Sequence, residues 1–340
     1  MSGATRGRWD NLESPDRFHL AQMNTTPDLQ DVPAKVPDQT RLRIWLFVVA
    51  GAILVLAFLG SLADLVRFSL HNELFSHIVL IPFVTGYLIW IKRGSSEFSG
   101  RPNRWLGGGL LIAGVGVLAS YMISVGDDRS MVEQDRLCLK AFAFVLLFIG
   151  LTATFLDWKR FRRIAFPLAF LIFMVPLPVA WVDVIESFLQ HRSASAAAVF
   201  FGSYGTPFFR DQTYFQLPGI NLQVAPECSG IRSSLALLIT SIVAGYLFLQ
   251  SPVKRAVLAL AVIPLAIVRN GFRVFIIGEL CIHIGPEMID SYIHRHGGPI
   301  FFALSLIPFF LILWLLIKMD RRGRIVPKTE MAMAPESTNH

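Results

Sequence analysis

The chain has 340 residues, of which 54% are hydrophobic and only 16% are charged, and its formal net charge is +7. Soluble proteins carry about 25% charged residues, so this composition excludes an ordinary soluble globular protein and indicates a membrane protein. The positive charges lie in short loops beside apolar runs, as membrane insertion requires. No phosphate-binding loop or nucleic-acid motif accompanies them, so we expect the lipid bilayer as a partner and no nucleic acid.

The two ends of the chain are predicted to be tails outside the membrane. Residues 1–42 are polar and contain several prolines, without the apolar core of a signal peptide, and they predict a disordered cytoplasmic tail. Residues 320–340 have the same character and predict a cytoplasmic C-terminal tail. The membrane domain is therefore predicted over residues 43–319.

Eight apolar runs in this domain have the length of about 20 residues that a transmembrane helix needs. The second run contains Pro82 and the fifth contains Pro167, Pro176 and Pro178, which neighbouring helices can accommodate. The sequence thus predicts an all-α polytopic membrane protein with about eight transmembrane helices and a small extracytoplasmic loop region. The runs begin near Ile44, Ile78, Trp105, Leu139, Ala165, Leu235, Val257 and Ile300.

The loops alternate in charge. Lysine and arginine favour the cytoplasmic side, and basic residues precede the first span and fill every second loop, whereas the loop at 127–135 is acidic. This pattern predicts a multi-pass protein of the plasma (inner) membrane with both termini in the cytoplasm. The segment 181–227 and the loop 281–298 are then extracytoplasmic.

The long extracytoplasmic segment has two parts. Residues 182–201 carry apolar side chains at helical spacing with charged residues between them, which is typical of a helix lying in the membrane interface. Residues 204–224 contain glycine and proline between short β-prone runs, and they predict an extended loop or hairpin.

Cys228 lies at the predicted outer mouth of the sixth span, next to Glu227. Arg232 follows four residues later, on the same face of a continuous helix, and this cation and the helix N-terminus both favour the thiolate. The alternative is that Cys228 is a small packing residue, as free cysteines often are. That packing role is what we expect for Cys138 and Cys281, which lie among apolar neighbours.

Arg269 and Arg273 are four residues apart in the seventh span. A charged arginine inside a span is costly and usually faces a cavity or a partner. Either residue could pair with a carboxylate or hold the oxyanion of a tetrahedral intermediate. Arg273 is the better candidate for that second role because it lies nearer the outer face, about 10 Å below the boundary near Leu280.

Three histidines complete the set of candidate residues on the outer side. His294 and His296 precede the last span, and histidine is the usual group that accepts a thiol proton and protonates a leaving amine. The alternatives are interfacial histidines without a role or a metal site, although no carboxylate or cysteine lies at zinc-ligand spacing. His77, at the outer start of the second span, is expected to line the same pocket or to cap the helix. We expect no cofactor and no metal.

Three short motifs in this order resemble those of the exosortase/archaeosortase family, with softer matches at 76–82 and 166–178. The cysteine box is ECSGIR (227–232), the arginine box is NGFRV (270–274) and the histidine box is HRHGG (294–298). The resemblance covers about 44–318 and implies a membrane cysteine transpeptidase. Its nucleophile would be Cys228, its essential arginine Arg273 and its histidine His294.

The resemblance also implies the partners. Substrates would be membrane-anchored exported proteins with a C-terminal sorting signal of the PEP-CTERM type, and the acceptor an amine of an envelope lipid or glycan. Two other functions stay open from the residues alone. One is a membrane cysteine protease that releases its substrate by hydrolysis. The other is a non-enzymatic transport or polysaccharide-export component, which would not need the Cys228 thiol.

Overall fold

The computed structural model describes residues 38–92, 102–127, 131–224, 230–285, 287–288 and 298–322. These residues are almost entirely helical, so the predicted all-α membrane fold is confirmed. Most of both predicted tails lies outside the described ranges. The elements are α1 (Asp38–Ala57), α2 (Leu59–His71), a 3₁₀ segment (Glu73–Leu80), α3 (Ile81–Ile91), α4 (Arg104–Asp127), α5 (Glu133–Phe155), α6 (Trp158–Phe170), a 3₁₀ turn (Leu171–Met174), α7 (Val179–Tyr204), α8 (Ile231–Phe248), α9 (Pro252–His283) and α10 (Gly298–Arg322).

Among the described residues, six stretches are long and apolar enough to cross a membrane, and two bent helix pairs bring the number to eight if each pair is one span. Each of the eight predicted apolar runs falls in one of these stretches or pairs. The first pair, α1 and α2, bends by 60° at Phe58, and no proline in the sequence marks that bend. The second pair bends by 90° between Met174 and Val179, where two prolines interrupt the helix.

The N-terminus of α5 holds the second bend in place. The Gln134 side chain donates to the carbonyl of Leu177 at 2.7 Å, and Asp135 Oδ1 accepts from the amide of Val179 at 2.9 Å. These bonds satisfy backbone groups that the interrupted helix leaves without an internal partner. The bend at Pro176 and Pro178 is therefore a defined feature of the fold.

Helix α7 packs along α9 through small residues. A Cβ placed on Gly271 would lie 2.5 Å from Ala196 Cβ, and one on Gly278 would lie 2.6 Å from the Phe201 ring. Only glycine at these two positions allows the helices to approach so closely, and the order of the contacts shows that α7 and α9 run in the same direction. The predicted helix in 182–201 is confirmed, while its depth in the membrane stays a prediction.

The predicted hairpin is a three-stranded antiparallel sheet, with strands β1 (Phe209–Asp211), β2 (Tyr214–Leu217) and β3 (Ile220–Gln223) in that order. Leu217 pairs with Ile220 across a tight turn, in which Gly219 has a φ of +79°. The buried face of the sheet packs on α7 and α9. Because the sheet is fixed on these two helices, the position of Val224, which follows β3, is fixed as well.

The alternation of charge predicts on which side of the membrane each loop lies. We expect a membrane-impermeant maleimide to label Gln216→Cys in β2 on intact cells, and to label Gln250→Cys, between α8 and α9, only after lysis. Both glutamines are exposed, so a difference in labelling reports the side of the membrane rather than burial. The measurement uses a background with Cys138→Ala, Cys228→Ser and Cys281→Ala. Labelling of Gln250→Cys in intact cells would contradict the predicted orientation.

Candidate active site

Helix α8 begins directly after Gly230, which has the left-handed conformation φ +74° and ψ 15°. This conformation is readily adopted by glycine and strained for residues with a side chain. A Cβ on Gly230 would also lie 2.9 Å from Arg269 Nη2 and 3.1 Å from Asn270 Oδ1. Both the backbone geometry and the contact with α9 therefore require glycine at this position.

The carbonyl oxygen of Gly230 joins α8 to α9. It accepts hydrogen bonds from the amide of Ser234 at 3.0 Å and from the hydroxyls of Ser233 at 3.0 Å and Ser234 at 2.7 Å. Arg269 Nη2 donates to the same oxygen at 3.3 Å. The first turn of α8 is thus fixed against the guanidinium group of a residue in another membrane helix.

Arg269 and Asn270 are both buried, with 8% and 2% of their surfaces exposed. Arg269 Nη1 is also buried, and it has no hydrogen-bond partner in the part of the chain that the structure describes. Leaving a charged donor unsatisfied in a protein interior is costly. Arg269 Nη1 is therefore available to donate a hydrogen bond to a group outside the described residues.

Arg273 lies one helical turn after Arg269 on the same face of α9 and is half-buried. The structure thus confirms the predicted adjacency of the two arginines. Arg269 places a positive charge beside the N-terminal end of α8, where the helix dipole adds a partial positive charge, and Arg273 adds a second charge one turn further along α9. An anion or a developing oxyanion would be stabilised at this position.

Arg232 does not have the position that the sequence predicts. The left-handed Gly230 precedes the first helical residue, Ile231, so the continuous helix that the sequence predicts through position 230 is wrong. The Arg232 side chain instead forms an ion pair with Glu73 of the 3₁₀ segment. Both side chains are more than half exposed, and exposed pairs contribute little stability, so the pair mainly orients the two elements.

His77 lies in the 3₁₀ segment and lines a cavity of about 600 Å³ beside the first turn of α8, where Ile231 and Ser234 also contribute. The cap of this segment is Asn72, whose Oδ1 accepts from the Leu74 amide at 3.1 Å. Of the two predicted positions for His77, the structure therefore supports the pocket and not the cap.

The chain entering the site is also fixed. Val224 is buried, its amide donates to the carbonyl of Thr213 at 3.0 Å, and its carbonyl accepts from the Gln190 side chain. Residues 225–229, which include Glu227 and Cys228, lie outside the described residues between Val224 and Gly230. His294 and His296 also lie outside them. Within the described ranges, no three His, Cys, Asp or Glu side chains converge as metal ligands.

A family model for transmembrane exosortases (Exosortase_EpsH) matches residues 69–311, more than half of the chain. The chain belongs to the exosortase family. The exosortase match begins in the last turn of α2, ends within α10 and includes every candidate residue described above. Comparisons with curated proteins and with solved structures gave no match.

Sequence reasoning missed the structural roles of Gly230, Asn270 and Gln190 in this exosortase. Gly230 and Asn270 stand inside the cysteine and arginine boxes, but the sequence alone does not indicate that they contact each other. The available signal was the glycine directly before an apolar run, a position where a left-handed residue can begin a helix. Gln190 had no signal, because its partner is a backbone carbonyl 34 residues away.

The contact between Gly230 and α9 predicts the effect of adding one methyl group. We expect Gly230→Ala to lower the thermal stability of the detergent-solubilised protein clearly more than Gly219→Ala. Both residues have positive φ, so both variants incur about 1 kcal/mol of backbone strain. Only at position 230 does the new Cβ collide with α9, whereas Gly219 has no neighbouring atom within 4 Å. Equal losses of thermal stability in the two variants would show that the contact of Gly230 with Arg269 and Asn270 does not contribute to stability.

Proposed function

We propose that this member of the exosortase family is a membrane cysteine transpeptidase with Cys228 as its nucleophile. The observation that carries the proposal is the hydrogen bond between Gly230 and Arg269, the residue directly before the arginine box, together with the close approach of Gly230 to Asn270, the first residue of that box. Cys228 precedes Gly230 by two residues, and two peptide units span at most about 7.6 Å. The thiol is therefore tethered within reach of the buried arginine face of α9.

The proposed first step is acylation of the thiol. The proton of the Cys228 thiol passes to His294, the sulfur attacks the scissile carbonyl carbon, and the carbonyl oxygen becomes an oxyanion beside Arg273. The C–N bond then breaks, His294 returns the proton to the leaving amine, and a thioester remains on Cys228. An arginine at a developing oxyanion stabilises the transition state more than the ground state, which is how it would accelerate the step.

The proposed second step is transfer to an acceptor. An amine of an envelope lipid or glycan attacks the thioester carbonyl, a new amide forms, and the thiolate leaves and regains its proton from the acceptor through His294. The first turn of α8 adjoins an apolar cavity, and exclusion of water from such surroundings favours transfer over hydrolysis. The substrate would be an exported protein held in the membrane by a C-terminal apolar span behind a short sorting signal.

The nucleophile is tested by co-expression with a candidate substrate, an exported protein of the same cell that ends in a short motif, an apolar span and a basic tail. We expect Cys228→Ser to abolish its processing and Cys138→Ser to leave it unchanged. We expect His294→Ala to slow processing by about 10²–10⁴-fold, with His296→Ala as its neighbouring control. Normal processing by Cys228→Ser would contradict covalent catalysis and favour a transport role. Mass spectrometry of the product separates transfer from hydrolysis, because hydrolysis leaves a free C-terminal carboxylate.

The two arginines are expected to differ in what they affect. Arg273→Gln should lower kcat by about 10²–10³-fold without a matching loss of thermal stability, because its proposed role is confined to the transition state. Arg269→Gln should lower thermal stability as well, because Arg269 is buried and holds the carbonyl of Gly230. The reverse pattern, with Arg269 alone affecting kcat, would assign the oxyanion role to Arg269.

A further inference from the structure

An apolar cavity of about 600 Å³ lies between the 3₁₀ segment, α7, α8 and α9. This volume is within the range of sites that bind small organic ligands or short peptide stretches. The cavity is lined on one side by Ile231, Ser234, Leu235 and Leu238. These residues follow the i, i+3, i+4, i+7 pattern of a single helix face, so one wall of the cavity is the inner face of α8.

The lining selects for an apolar ligand. Among the described residues that line it there is no carboxylate, lysine or arginine, and His77 is the one titratable group. The hydroxyl of Ser234 is already occupied by the carbonyl of Gly230. A charged or strongly polar ligand would lose its hydration here without gaining partners, which costs several kcal/mol.

The position of the cavity connects it to the proposed nucleophile. Ile231, which lines it, directly follows Gly230, and Ala266 of α9, another lining residue, lies one turn before Arg269. From Ile231 the cavity extends to Leu238, about 10 Å along α8. It therefore begins beside the cysteine box and leads away from it along the membrane helix.

On the side formed by α7, the cavity is lined by apolar side chains that are exposed at the protein surface. Trp181, Val184 and Phe188 are 65%, 69% and 46% exposed, and all three line the cavity. Exposed apolar patches of this kind mark surfaces that meet a partner or a lipid phase. A ligand that is itself embedded in the membrane can enter here without crossing water.

We propose that this cavity is a specificity pocket for apolar side chains of the substrate polypeptide that adjoin the scissile bond on its membrane-anchored side. The assignment rests on the proposed function of Cys228. When the scissile carbonyl of an uncleaved substrate lies at that thiol, the next residues toward its membrane span lie within about 3.6 Å per residue of it. Cys228 itself precedes Ile231, which lines the cavity, by only three residues. A free lipid tail offers the same apolar chemistry but has no such link to the nucleophile.

The pocket is tested with two valines of α7 that differ in position but not in exposure. Val184 lines the cavity and is 69% exposed, whereas Val199 lies outside it and is 67% exposed. We expect Val184→Trp to raise the KM for the co-expressed or purified membrane-anchored substrate about tenfold or more, and Val199→Trp to change it less than twofold. Alkylation of Cys228 by a small thiol reagent should proceed at the wild-type rate in both variants, which shows that the site remains folded. Equal KM values for the two variants would overturn the assignment.

The occupant is identified by photo-crosslinking. With benzoylphenylalanine at position 184 in the Cys228→Ser protein, we expect an adduct with the uncleaved substrate, and with the same residue at position 199 we expect none. Adducts with lipid alone at position 184 would overturn the proposal in favour of an acyl-chain site. If wild type needs Cys228 but Val184→Trp has no effect, the pocket fails and the proposed function stands. If Cys228→Ser still processes the substrate, the proposed function itself fails.

Discussion

The candidate site depends on one hydrogen bond inside the membrane domain, from the guanidinium of Arg269 to the carbonyl of Gly230. A buried arginine in a membrane helix needs polar partners, because its charge cannot be solvated by lipid. A backbone carbonyl at the start of α8 supplies one such partner at a position that a left-handed glycine makes accessible. Gly230 of the cysteine box and Arg269, directly before the arginine box, are 39 residues apart in the sequence and are thereby held together.

The rest of the architecture serves to position this contact. Small residues of α7 let it approach α9 at Gly271, directly after the buried Asn270, so a third helix supports the arginine face. The antiparallel sheet packs on these same helices and fixes Val224, the last described residue before the cysteine box. Both flanks of the segment 225–229 are consequently anchored, one by the sheet and one by α9, while the apolar cavity lies along the helix that follows.

Much of the fold was predictable because lipid leaves the backbone few choices. Within a bilayer every amide and carbonyl must be paired inside its own segment, so long apolar runs are read as helices with little ambiguity. The prolines at 176 and 178, which the sequence predicts to be accommodated by neighbouring helices, lie at the 90° bend of the fifth span. The 60° bend at Phe58 and the left-handed start of α8 were not predictable, since each depends on packing between segments and not on a local breaker. The same lack of information made the expected continuous helix through position 230 wrong.

The sequence alone establishes the membrane class, the positions of the apolar runs, the family motifs and the spacing of Arg269 and Arg273, because each of these depends only on local composition or on residues of one helix. Three features required the folded structure: Arg269 contacts Gly230, Arg232 pairs with Glu73, and His77 lines a cavity shared by α7, α8 and α9. These are contacts between segments far apart in the chain, and their geometry follows from how closely the helices can pack.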